Sequence, residues 1–226
     1  MIDIFSLSTN ELVTKMREGQ ISSVEVCKIY IERISKFEKN VKAWNFFDKK
    51  ILLEKAEEAD EYRKSGKPLG PLHGLPIAVK DIFGTYDMPT ECGTVFRRKK
   101  SASQDSEVVN LLKNAGAIIM GKTVTAELAY IHPGKTTNPH DYSRTPDGSS
   151  SGSAAVIAAQ MAPLSVGSQT GGSIIRPASY CDVVAYTPSY GLISRKQALK
   201  TSVKFATIGV FDTSVEAVAL LAKVII

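Results

Sequence analysis

From Pro76 onward the chain alternates short apolar runs with helical stretches, and that alternation restricts the fold more than any other feature. "PIAVK", "AIIMG" and "LSVGS" are too short for helices and too apolar for exposed loops, so they read as buried strands. Between and after them lie "SEVVNLLKNAG", "AAVIAAQM" and "SVEAVALLAKVII", which read as helices, the first stopped by Gly116. "TVTAELAY" is predicted as a further short helix and "ASYCDVVAYTPS" as holding a further strand. Strands alternating with helices define an α/β chain whose sheet is covered on both faces.

The first 66 residues differ in texture. Ser8 with Glu11, and Ser22 with Glu25, are capping-box pairs that each open a helix. The second helix is expected to face the core with Val24, Cys27, Ile31 and Ile34. "AWNFFD" reads as a short strand, and "ILLEKAEEADEYRKSG" as an amphipathic helix ended by Gly66. A mostly helical segment, 1–66, therefore precedes an α/β core, 67–226.

Several function classes drop out on composition. The net charge of +5 comes from scattered lysines and arginines, and the run Arg97–Lys100 reads as a solvated loop, so no nucleic-acid partner is expected. The longest apolar runs fall short of a membrane span, and the acidic, non-basic start is unlike a secretory leader, which points to the cytoplasm. Cys27, Cys92 and Cys181 are odd in number and far apart, and His73, His132 and His140 lack ligand spacing, so neither disulfides nor a metal are expected. His73 reads as a turn or packing residue. "GAIIMGKT" matches the phosphate-loop pattern in form only: its four intervening residues are the strand itself and cannot turn their amides to a phosphate. Lys122 then reads as an ordinary strand-end lysine.

"SQTGGSI" raises a different chemistry. Two glycines before Ser173 permit a tight turn whose successive N–H groups point one way, a setting for an oxyanion beside a nucleophilic hydroxyl. No histidine has a comparably constrained setting to act as base. A buried lysine loses its charge to desolvation and can take that role. Lys80, at the end of "PIAVK", is placed for it, although taken alone it reads more readily as a partner of Asp81. A hydroxyl both donates and accepts, so one of the serines 149–151 in "GSSSGS" can relay a proton between Lys80 and Ser173.

"GLPIAVKD", "GAIIMGKT", "GSSSGSAAVIAA" and "GSQTGGSIIRPASYC", in that order, resemble the amidase signature family. The resemblance runs to the closing "TSVEAVALLA". It implies a mixed, largely parallel sheet covered by helices, truncated on the C-terminal side, because family domains run to about twice this length. It implies a Ser–cis-Ser–Lys triad with Ser173 as nucleophile, Lys80 as neutral base and Ser149 as the bridging serine. Ser149 lies at the family's usual interval of 24 positions before the nucleophile. The backbone amides of Thr170, Gly171 and Gly172 would form the oxyanion hole, and no cofactor is implied. The implied reaction is hydrolysis of a small-molecule carboxylic amide through a seryl acyl-enzyme.

Departures from the family pattern sharpen these expectations. Asp147 and Ser151 replace glycines, Gln169 replaces the commoner aspartate, and Arg176 stands one place late. Gln169 and Arg176 resemble the choices of hydrolytic members and point away from the aminoacyl-tRNA amidotransferase relatives, whose glutamine-derived ammonia chemistry is one alternative. Asp182 and Ala185 also replace glycines, in "YCDVVAYTPSYG". The short length raises a second alternative, a catalytically silent fragment or split-enzyme half that acts as an interaction module. Its partner would be a second copy of itself or a complementary C-terminal half.

Overall fold

The computed structural model describes residues 2–226. Helices α1 (Thr9–Arg17) and α2 (Ser23–Val41) open with the two capping boxes expected. Ser8 Oγ accepts from the Glu11 amide while the Glu11 carboxylate accepts from the Ser8 amide, at 3.2 and 2.8 Å. Ser22 and Glu25 repeat the arrangement. The core stripe of α2 is rotated from the expected one: Val26, Cys27, Tyr30 and Ile34 are buried, and Val24 and Ile31 are only half-buried.

Strand β1 (Trp44–Phe47) and helix α3 (Lys49–Lys64) follow, and Gly66 closes α3 with φ of 74°, a left-handed turn that favours glycine. Strand β2 (Pro76–Lys80), helix α4 (Glu107–Asn114) and strand β3 (Ile118–Thr123) form the next unit. Gly116 joins α4 to β3 at φ 86°, where an added Cβ would lie 2.9 Å from His73 Cα. His73 is buried, with Nε2 2.9 Å from the Ala59 carbonyl oxygen, which bears out its reading as a packing residue.

Helix α5 (Ser151–Ala158), strand β4 (Leu164–Gln169), helix α6 (Ile175–Tyr180), strands β5 (Val184–Tyr186) and β6 (Thr207–Asp212), and helix α7 (Val215–Ile225) complete the chain. The sheet order is β1-β3-β2-β4-β6-β5. Its centre, β3-β2-β4, is parallel, and the outer pairs β1–β3, β4–β6 and β6–β5 are antiparallel. The sheet is mixed and flanked by helices as expected, but its parallel character is confined to three central strands. β1, from the helical first part, pairs with β3, so both parts of the chain share one sheet.

One further expectation is corrected, and two elements were not foreseen. "TVTAELAY" is not an α-helix: Thr123 ends β3, and only Glu127–Ala129 make a single 3-10 turn, with Leu128 and Ala129 at positive φ. α6 and β6 do not stand out in the sequence as elements. Pro177 within α6 masks it, though the first turn of a helix needs no N–H from that position.

α5 is packed close to the sheet. It touches β2, β3, β4 and β6. At Gly152 a Cβ would meet the Ala43 carbonyl oxygen at 2.4 Å and the Val124 nitrogen at 2.5 Å, so only glycine allows this approach. The N-terminal end of α5 is thereby pressed against the C-terminal ends of the central strands, where the candidate site lies.

Candidate active site

The ends of β2 and β4 and the start of α5 converge on one buried amine. Lys80 is the last residue of β2 and is fully buried. Its Nζ lies 2.7 Å from Ser149 Oγ, 2.9 Å from Ser150 Oγ, 2.9 Å from Ser168 Oγ and 3.4 Å from the Ser168 carbonyl oxygen. Burial pushes the amine well below its usual value, with Cys92 acting weakly in the opposite sense.

The expected alternative for Lys80, a pairing with Asp81, does not occur. In the β2–β3 register Val79 stands beside Lys122, and Lys80 beside Thr123. Cross-strand neighbours share a face and successive residues alternate, so Lys80 and Lys122 project from opposite faces. Asp81, one residue beyond Lys80, pairs with Lys122 at 3.4 Å, and both are fully buried. Lys122 is therefore no ordinary strand-end lysine. Its Nζ also donates to Phe83 O, Thr90 Oγ1, Thr85 Oγ1 and Pro89 O, between 2.8 and 3.2 Å. Asp81 accepts from Asn45 Nδ2 at 2.9 Å and from the Glu91 amide at 3.2 Å. Burial pushes Asp81 up to about 6, with Lys122 pulling the other way. Among the described residues no carboxylate lies within ion-pair distance of Lys80.

Of the three candidate hydroxyls in 149–151, Lys80 meets those of Ser149 and Ser150. Ser151 Oγ donates instead to the Val124 carbonyl at 3.3 Å. The Gly148–Ser149 peptide is cis, as the family resemblance implies. Ser173 is 8% exposed, and its carbonyl accepts from the Ser150 amide at 3.3 Å. Among the described residues no hydrogen bond joins Ser149 Oγ to Ser173 Oγ. Sequence reasoning missed Ser168. Its place immediately before "QTGGS", on the strand beside β2, was the available signal.

The glycine turn is held from outside. Gln169 Oε1 accepts from the amides of Ile174 and Ile175, at 2.9 and 3.1 Å. Among the described residues, no protein group accepts from the amides of Thr170, Gly171 or Gly172. Neither glycine has a positive φ, so the turn does not need them for backbone freedom. A Cβ at Gly171 would meet nothing within 4 Å, whereas at Gly172 it would strike the Arg176 side chain at 2.8 Å. Arg176 Nη2 donates to the Gly148 carbonyl at 3.1 Å and lies 3.7 Å from Asp147 Oδ1. The Asp147 carboxylate thus faces Arg176. Asp182, where the family has glycine, sits at φ 54°, a conformation that favours glycine.

A buried amine ringed by hydroxyls, whose burial disfavours the charged form, beside a serine on an amide-lined turn, is an arrangement suited to acyl transfer. The family model described as "Amidase" matches residues 25–226, and the chain belongs to that family. A glutamyl-tRNA(Gln) amidotransferase subunit from Salinispora tropica is 39% identical over 231 residues, covering 100% of this chain and 47% of that protein. The native peptide amidase of Stenotrophomonas maltophilia superposes with a TM-score of 0.91 at 30% identity, covering 99% of this chain and 48% of the amidase. A chain from a vestigial protein complex tied to the origins of an s-triazine catabolic enzyme superposes equally well, at 0.91 and 34% identity, over 97% of this chain and 50% of that one. The chain spans about half the length of these relatives. Among the described residues no helix is long and apolar enough to cross a membrane.

Proposed function

We propose that the chain carries the catalytic centre of an amidase that hydrolyses a small carboxylic amide to an acid and ammonia or an amine. The observation that carries this reading is the Lys80 amine, fully buried, facing three serine hydroxyls and no carboxylate. Ser173 is the nucleophile, Ser149 the relay and Lys80 the base. Lys80, as a neutral amine, takes the Ser149 proton while Ser149 takes that of Ser173. Ser173 Oγ attacks the amide carbon, and the amides of Thr170, Gly171 and Gly172 receive the developing oxyanion. Collapse breaks the C–N bond, and the proton returns through Ser149 to the leaving nitrogen. Water, deprotonated by the same relay, then releases the acid. The Ser149–Ser173 contact closes with substrate in place, since catalytic hydrogen bonds are often long in an empty site.

The test is covalent labelling. A fluorophosphonate should attach to the wild type and not to Ser173→Ala. Labelling that survives the substitution removes Ser173 from the mechanism.

A second reading, an ammonia-releasing component of an amidotransferase, is favoured by the name of the Salinispora tropica relative. It predicts release of ammonia from glutamine, and the amidase reading predicts turnover of simple amides without any second protein. A third reading is an interaction module paired with a second copy or a complementary half. It predicts a folded oligomer that no fluorophosphonate labels.

A further inference from the structure

A neutral lysine amine has two N–H donors and one lone pair. For Lys80 to act as a base the lone pair must face Ser149, and both N–H bonds must point elsewhere. Three hydroxyls crowd the amine at nearly equal distances, so proximity alone does not decide which of them donates to it.

The hydrogen bonds around Ser150 remove one of the three. Ser150 Oγ donates its own proton to the Ser168 carbonyl at 3.0 Å and accepts from the Ser168 amide at 3.3 Å. Its proton is spent, so towards Lys80 it can only accept. On the Ser168 side the carbonyl, 3.4 Å from Nζ, is likewise an acceptor only, and it stands beside the Ser168 hydroxyl. Both N–H bonds therefore find fixed acceptors, at Ser150 and at Ser168. The lone pair is left for a hydroxyl whose proton is not engaged, and of the two such hydroxyls Ser149, at 2.7 Å, is nearer than Ser168, at 2.9 Å.

We propose that Ser150 is a positioning residue that sets the direction of the proton relay, by holding one N–H of Lys80 so that its lone pair faces Ser149. The inference rests on the hydrolase reading above. Ser150 is fully buried, and its hydroxyl is held by the Ser168 carbonyl and amide together. With Ser150→Ala one fixed acceptor is lost, and the N–H it held is released to turn towards Ser149, which takes the lone pair away from that hydroxyl and works against the relay. The ammonium form loses one of its four acceptors and is left with the long 3.4 Å contact to the Ser168 carbonyl as its third. Its remaining surroundings are unchanged: Cys92 is the titratable neighbour, and Asp81 and Lys122 stay paired with each other on the opposite face.

The experiment is the pH profile of Ser173 acylation by a fluorophosphonate, in wild type, Ser150→Ala and Ser168→Ala. Ser150→Ala is expected to lower the plateau rate roughly ten- to a hundredfold, the cost of one unmade buried hydrogen bond. It is also expected to move the midpoint to lower pH. Ser168→Ala keeps the acceptor carbonyl and should move the midpoint less. A plateau that falls with no shift of midpoint makes Ser150 merely structural and overturns the proposal. If Ser150→Ala does not fold, neutron diffraction from wild-type crystals above the midpoint reads the same point. Deuterium on Ser149 Oγ directed at Nζ is expected; deuterium on Nζ directed at Ser149 overturns it. Wild-type labelling that persists in Ser173→Ala would instead count against the hydrolase reading itself, and the neutron result would still stand on its own.

Discussion

Replacing Lys122 by methionine removes the cation from a pair in which both partners are fully buried. Methionine fills much of the same volume, so the loss is electrostatic. Asp81 keeps the donors Asn45 and Glu91 but has no opposite charge, the Pro89 carbonyl loses its donor, and the Phe83 carbonyl keeps only the Thr90 hydroxyl. Stranding one partner of a buried pair costs about 3–5 kcal/mol. A chain of this size melts about 2–4 °C lower per kcal/mol, so the melting point should fall by roughly 6–20 °C. The loss should depend on pH in a set direction. Asp81, already raised to about 6, rises further without the cation. The folded chain then takes up a proton that the unfolded chain does not hold, and the deficit seen at neutral pH shrinks as the medium is made acidic. Thermal melts followed by circular dichroism between pH 5 and 8 measure both effects. Asp81→Asn combined with Lys122→Met should restore much of the stability. A loss below about 1 kcal/mol, or full additivity of the two substitutions, would refute the reasoning.

Three further outcomes follow from the geometry. Lys80→Met removes an amine that burial holds well below its usual value. The wild type carries that penalty at low and neutral pH and sheds it as pH rises towards the ordinary lysine range. Melts should therefore show the wild type gaining on the variant with rising pH, and a constant difference would contradict the neutral amine. Gly152→Ala should destabilise by roughly 1–3 kcal/mol in a denaturant titration, because contacts of 2.4–2.5 Å with backbone outweigh the ~1 kcal/mol that alanine adds to a helix. Gly171→Ala should leave the melting point unchanged, since its methyl meets nothing within 4 Å, yet slow Ser173 labelling by intruding on the amide-lined mouth. Unchanged labelling would remove that turn from oxyanion binding.

Helix starts were legible because their signals are local: Ser8 with Glu11 and Ser22 with Glu25 each carry both halves of a capping box. The central strands were legible as short, mostly apolar runs between helical stretches. β6, "TIGVFD", was not picked out, and its Gly209 is there for a packing reason. A Cβ at that position would lie 2.3 Å from the Tyr186 carbonyl oxygen on the adjoining strand. At the site, Ser173 and Lys80 were legible from the Gly-Gly-Ser turn and the strand-end lysine, and the family resemblance singled out Ser149 among the serines 149–151. Nothing in the residue order shows that Asp81 turns to Lys122 rather than to Lys80, because that choice depends on strand register. The contribution of Ser150 and Ser168 was equally hidden. It rests on which hydroxyl protons are already engaged, a property of the assembled network.

Whether a neutral Lys80 drives attack by Ser173 is read from the rate of fluorophosphonate acylation across pH, with the adduct located by peptide mass spectrometry. The expected result is an adduct on Ser173, a rate that rises with pH to a plateau reached well below the ordinary lysine range, and a fall of several orders of magnitude in Lys80→Met. Equal rates in the two proteins, or an adduct on another residue, would contradict that mechanism.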